Sequence, residues 1–286
     1  MAEISAADVK RLREKTGAGM MECKNALVNN GGDFEKAEKS LKEKGLAALE
    51  KRSGRATNEG KVFVGIKEDG SAAVLAELAS ETDFVARNDE FIALGGEIVK
   101  KALENGFDAP NDELNGMVTG LATKIRENMS LKRLRMINAC TGEYLAKYIH
   151  GDGNIGVAVK CKSDKAEIFT DNEIQNFIFS LALHIAAFNP FALDRNKIDP
   201  AYILEQEEIF RKQIEQDEKL AGKPANVLEG ILKGKVNKHL AEICMMEQGY
   251  VKDDKLTVAQ AISEYAKKTG ATLEIAEYAY FKVGIN

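Results

Sequence analysis

"KVFVGIKEDGSAAVLAEL", residues 61–78, is where the chain changes period. Apolar and polar residues alternate through "KVFVGIK" (61–67), "EDGS" has turn composition, and "AAVLAEL" (72–78) resumes as a near-continuous apolar run. Alternation sends successive side chains to opposite faces, and an Asp-Gly turn between two such runs predicts a β-hairpin. The second run reads as a buried strand.

Downstream lies "SETDFVARND" (80–89), then "EFIALGGEIVKKALEN", a predicted helix of about 15 residues. Asn88 is its candidate N-cap, and Phe91, Leu94, Ile98 and Ala102 mark its apolar face. Asp83 and Phe84 therefore stand side by side on a short connection. In one reading Thr82 or Asp83 caps a helical turn and Phe84 folds back as a core staple. In the other Phe84 protrudes as an anchor for a pocket on another protein, where burying it supplies ~1.5–3 kcal/mol.

The hairpin-then-helix grammar recurs. "YLAKYIH" (144–150), "GDGN" and "IGVAVKC" (155–161) predict a second hairpin. "TDNE" (170–173) has the form of a capping box, opening a helix with Ile174, Phe177, Ile178, Leu181 and Ile185 on one face. The two units imply an internal duplication of pattern. Residues 111–137 between them read as helical, with a basic cluster "KRLR" at 132–135.

Upstream, residues 1–50 read as three short helices around glycine-marked turns, the first capped by Ser5 with Val9 and Leu12 inward. "RSGRATNEG" (52–60) reads as a linker. Asp199 and Pro200 form an N-cap and N1 pair. Ile203, Phe210 and Ile214 then recur near heptad spacing, and a second amphipathic run after "AGKPAN" predicts a coiled-coil-like helical hairpin. "EYAYFKVGI" (277–285) alternates like a last strand that returns to the second sheet. The fold class is α+β. Expected domains are 1–51, a linker at 52–60, core halves at 61–140 and 141–198 plus 262–286, and an arm at 199–261.

With 286 residues, 44% hydrophobic and 30% charged, the composition is that of an ordinary globular chain. A net charge of −5 argues against wholesale nucleic-acid binding. Cys23, Cys140, Cys161 and Cys244 are scattered, which suggests buried thiols in a reducing compartment rather than disulfides or zinc. The N-terminus lacks an apolar leader, and no run reaches the ~18 residues needed to span a bilayer. A cytoplasmic location is expected.

Chemistry-bearing motifs are missing. There is no P-loop, no dinucleotide fingerprint, no nucleophile elbow and no H-E-x-x-H, so no enzyme, cofactor or metal is expected. Of the histidines, His184 reads as a hydrogen-bonded core residue and His150 as an exposed strand end beside Gly151. The Lys/Glu alternation at 35–44 reads as a solvated helix face. "LKRLR" is more purely basic, suited to a phosphate or an acidic protein patch, but lacks interleaved aromatics.

Several stretches together resemble one family, translation elongation factor Ts. "VKRLREKTGAGMMECKNAL" (9–27) resembles its N-terminal signature, and "ETDFVARN" its core signature. "KIRENMSLKRL" (124–134) resembles its G-E-N-I-N-I-R-R region, with Arg126 in place of the usual Gly. "YIHGDGNIGVAV" resembles its second hairpin, and "MMEQGYVKDDKLTV" (245–258) its L-x-Q-P-F-V-K-D segment, with Gly249-Tyr250 where Pro-Phe is common. The sequence closes on "YFKVGIN" (280–286), so the C-terminal helical extension of some members is not expected here.

The resemblance implies a ubiquitin-associated-like three-helix domain, a duplicated core and an inserted helical arm. It implies guanine-nucleotide exchange on elongation factor Tu, with Thr82, Asp83, Phe84 and Val85 disturbing Tu near its magnesium site. Arg13, Met20 and Met21 would dock on Tu's nucleotide-binding domain, and His150 and Gly151 on Tu from the second core half. Self-association through the arm stays open, and nucleic acid is not an expected partner. The competing readings are a non-exchange adaptor with a ubiquitin-associated-like module, and an RNA-associated factor using "LKRLR", which steep salt dependence would reveal.

Overall fold

The computed structural model describes Ile4–Ile285. Helix α1 (Ala6–Thr16) opens on Ser5, whose Oγ accepts the Asp8 amide at 3.1 Å. Gly17 closes it in the left-handed region (φ +68°). In α2 (Met20–Asn29) Glu22 reaches back to accept the Gly19 amide, and Asp33 caps α3 (Phe34–Glu50). Val9, Leu12, Cys23, Ala26, Leu27, Ala37 and Leu41 form one small core among the three.

The hairpin at the change of period is present: β1 (Glu59–Ile66) and β2 (Ala72–Ser80) pair antiparallel, Gly65 opposite Val74. β3 (Met129–Asn138) joins the other side of β2, giving the order β1-β2-β3. The central strand is buried along its whole length, as its apolar run requires. Val74, Ala76 and Leu78 pack with Phe91, Leu94 and Ile98 of α5 (Asp89–Asn105) and with Leu114, Val118 and Ala122 of α6 (Asp112–Ile125). At Gly95 an added Cβ would lie 2.2 Å from the Phe63 ring, so glycine is what lets α5 close on β1.

The helical reading of 111–137 fails halfway. Helix α6 stops at Ile125, Arg126 caps it with φ +67°, and the basic cluster lies on strand β3. The reason is a bulge: pairing passes from Leu78–Leu131 to Glu77–Arg133, leaving Lys132 as an extra residue. That insertion spaces the buried Leu131 and Leu134 three apart, which imitates a helical period. Arg133 is turned to internal use, donating from Nε to the buried Glu77 at 2.7 Å.

Strands β4 (Glu143–His150) and β5 (Ile155–Lys162) are joined in the order β4-β5-β8 by the last strand, β8 (Glu274–Lys282). Helix α7 (Asn172–Phe188) buries Ile174, Phe177, Ile178, Leu181 and Ile185. Its cap is Asp171, which accepts the Glu173 amide at 2.7 Å, rather than Thr170. Thr170 ends a preceding 3₁₀ turn and donates to the Glu167 carbonyl, so its hydroxyl is already committed. His184 is fully buried and its Nε2 meets Gln248 Oε1 at 3.0 Å, while its Nδ1 has no partner.

Asp199 caps α8 (Pro200–Gln216), which forms a helical hairpin with α9 (Ala225–Ile243) over Ile214, Leu232, Val236 and Leu240. The short pair β6 (Gly249–Tyr250) and β7 (Asp253–Thr257) leads into α10 (Val258–Thr269). Tyr250 is buried and shares a hydrogen bond with Ser180. Cys23, Cys161 and Cys244 are buried as expected, but Cys140 is exposed. Among the described residues no helix is long and apolar enough to cross a membrane.

The chain divides into two compact units. One holds the chain through Cys140, Lys147–Ala158 and the stretch from Tyr278 onward; the other holds Thr141–Ala146 and Val159–Glu277.

Candidate protein-docking site

After β2 the chain makes one helical turn, α4 (Asp83–Ala86). Thr82, in extended conformation, caps it by accepting the Val85 amide at 3.4 Å. Ser80 donates to the Thr82 carbonyl at 3.0 Å, fixing the turn's entry. Such a turn directs neighbouring side chains about 100° apart. Val85 and Ala86 enter the core beside Phe91, while Phe84 is left 82% exposed. The cap half of the local reading holds and the staple half does not: Val85, the smaller residue, is the staple.

The turn is braced from the α6–β3 connection. Thr82 Oγ1 donates to both carboxylate oxygens of Glu127, at 3.0 and 3.1 Å. Glu81 accepts the Asn128 amide at 2.6 Å and pairs with Arg55 at 3.1 Å. The Asn128 hydrogen bond, ahead of Arg55, holds the Glu81 carboxyl below the ordinary carboxylate range. Asp83 pairs with Arg87 at 3.2 Å on the outer side.

His150 ends β4, exposed, with Nδ1 3.1 Å from the Tyr148 hydroxyl. Gly151, Asp152 and Gly153 follow with φ of +47°, +20° and +92°. Buried Lys61 of β1 reaches Asp152, donating to its carbonyl at 2.7 Å and pairing with its carboxylate at 2.6 Å. The Asp152 carboxyl is held low, first by Lys61, with Arg87 adding to the same effect. The turn is thus held against β1, whose Val62 donates its amide to the Gly153 carbonyl at 2.8 Å, and β1 in turn packs against α4.

Arg13 is exposed on the last turn of α1, and Met20 and Met21, 48% and 63% exposed, open α2. Glu22, on the same first turn, pairs with Arg126, which holds the Glu22 carboxyl low. Arg126 precedes Glu127, so a single connection touches both the α2 start and Thr82. All nine expected residues fall in the first compact unit. Val85 is 7% exposed, with its side chain in the core beside Phe91.

Residue-by-residue reading missed Glu81, Lys61 and Asp152 and gave Glu127 and Asn128 no role. The last two lie inside a stretch whose similarity was noted, which was a usable signal. The Lys61 pairing has no local trace, since its partner is 91 residues away.

Comparison with known proteins gives the context. A family model described as elongation factor TS matches residues 81–285. The chain belongs to the elongation factor Ts family. An elongation factor Ts from Treponema denticola is 50% identical over 99% of both chains. Those of Borrelia recurrentis and Treponema pallidum are 45% and 43% identical, over 98% and 99% of this chain. The elongation factor Ts match opens at Glu81, the first residue of the braced turn, and these relatives also span the three helices ahead of it.

Proposed function

We propose that the protein is a guanine-nucleotide exchange factor that binds elongation factor Tu in its GDP form and speeds GDP release, so that GTP can load. The observation that carries this is Phe84: a large aromatic 82% exposed on a turn fixed by Thr82, Glu127 and the buried Val85. A ring with no internal packing role, on a rigid mount, suits a pocket on another protein.

Bound GDP is held by a magnesium ion and by backbone amides around its phosphates, so displacing either loosens it. In this reading Phe84 and Asp83 act on that region of Tu while Thr82 and Val85 hold them in place. Arg13, Met20 and Met21 dock on Tu's nucleotide-binding domain, and His150 and Gly151 make a second contact. The first three helices serve as a ubiquitin-associated-like module, the two sheets with their helices as a duplicated core, and α8–α9 as an arm open to self-association. The protein works in the cytoplasm. No bond is made or broken. The factor binds nucleotide-poor Tu more tightly than Tu·GDP, and reciprocity makes nucleotide displace the factor in turn. Weakening GDP 10⁴-fold takes ~5.5 kcal/mol of differential affinity. One phenylalanine supplies ~1.5–3 kcal/mol, so the other contacts share the load.

Release of a fluorescent GDP analogue from cognate elongation factor Tu, followed by stopped flow with excess GDP, tests the reading. The rate should rise with the concentration of this protein and then saturate. No acceleration by the folded protein would overturn it.

A further inference from the structure

Lys61 is a buried lysine, 6% exposed on strand β1 of the first sheet. A buried ammonium persists only where acceptors surround it. Here both acceptors belong to one residue of a surface turn: the Asp152 carboxylate at 2.6 Å and its backbone carbonyl at 2.7 Å. The lysine stem lies along the same turn. A Cβ added to Gly153 would meet its Cβ, Cγ and Cδ at 3.1–3.3 Å. The next residue, Val62, donates its amide to the Gly153 carbonyl at 2.8 Å, and Asn154 donates to Gly151 at 2.9 Å. The turn runs through three consecutive positive φ values, one at the non-glycine Asp152, whose carbonyl and carboxylate Lys61 holds. β1, which holds the turn, also packs against α4, the helical turn that carries Asp83 and Phe84.

We infer that Lys61 is a positioning residue for exchange: it clasps the Gly151–Gly153 turn to β1 and so holds His150–Gly151 in fixed relation to Asp83–Phe84. The two contact elements come from distant parts of the chain, and this clasp gives them one geometry before Tu arrives. Preorganisation of this kind acts on the affinity of docking, not on the rate once docked. The inference rests on the exchange reading above, although the clasp itself can be measured without Tu.

Amide hydrogen exchange of the full-length protein reads the clasp directly. Lys61→Met keeps the stem and removes the ammonium. It should speed exchange at Val62 and Asn154 about tenfold, with β2 amides such as Leu75 unchanged within about twofold. In the GDP-release assay the half-saturating concentration should rise about fivefold, with the saturating rate held within about twofold. Asp152→Asn, at an exposed position, should show the same pattern at about threefold and carries the test if Lys61→Met does not fold. Unchanged protection in the folded variants would overturn the clasp. Lost protection with an unchanged half-saturating concentration would overturn its part in docking. Failure of the wild-type protein to release GDP would instead sink the exchange reading, and the amide measurement would still decide whether Lys61 holds the turn.

Discussion

Thr82 and Glu127 meet across 45 residues of chain, the hydroxyl donating to both carboxylate oxygens at 3.0 and 3.1 Å while accepting the Val85 amide. The same oxygen therefore caps α4 and ties it to the α6–β3 connection. Thr82→Ala removes both interactions and should lower stability by about 1–2 kcal/mol. Thr82→Ser should restore most of it. Chemical denaturation of the three proteins checks this, and equal midpoints would refute the double role.

Phe84 separates function from folding. Its ring is 82% exposed, so Phe84→Ala should leave stability within about 0.5 kcal/mol of wild type. The GDP-release rate at subsaturating concentration should fall about tenfold or more, the equivalent of ~1.5–3 kcal/mol of lost burial in a partner's pocket. A variant that unfolds while its folded fraction still exchanges normally would return Phe84 to the core.

Arg126 holds a backbone conformation that favours glycine, at φ +67°. Arg126→Gly and Arg126→Ala both lose the pairing with Glu22, but only glycine relieves the left-handed cap. The glycine variant should therefore be the more stable by about 1 kcal/mol. Thermal melts of the pair measure this without reference to the wild type, and an alanine variant equal to glycine would contradict it.

His184 predicts an acid-side loss. Burial lowers its pKa below the ordinary 6.5, against the opposing hydrogen bond with Gln248. The folded state then keeps the imidazole neutral while the unfolded chain takes up a proton as pH falls through about 6.5. This contribution is complete above that pH and is lost below it. The melting temperature should fall between about pH 7.5 and 5.5, and His184→Gln should flatten that part of the profile. Parallel profiles would show that the drop comes from other groups.

Local chemistry was legible wherever one side chain decided the outcome. Ser5, Asn88 and Asp199 cap the helices their positions announce, because a cap acts on amides two or three residues away. Phe91, Leu94, Ile98 and Ala102 line the face their spacing predicts. The failures share a different cause. The β3 strand was hidden by one bulged residue, and the Asp171 cap by a 3₁₀ turn that had already taken Thr170. Phe84 reads as core from hydrophobicity alone, and only the direction of a single helical turn decides otherwise. At the site, the similarity of "ETDFVARN" singled out the turn that carries the exposed Phe84, but the Glu127 brace and the Lys61 clasp join residues that only the tertiary fold brings together.

The chain contains no tryptophan. Combined with the outward ring at residue 84, this gives the protein a spectroscopic blank at the point of interest. Phe84→Trp would install a sole indole emitter whose surroundings are water in the free protein and whatever covers residue 84 in a complex. A blue shift and loss of quenching on mixing would report occupancy of that one side chain, in real time and without a dye.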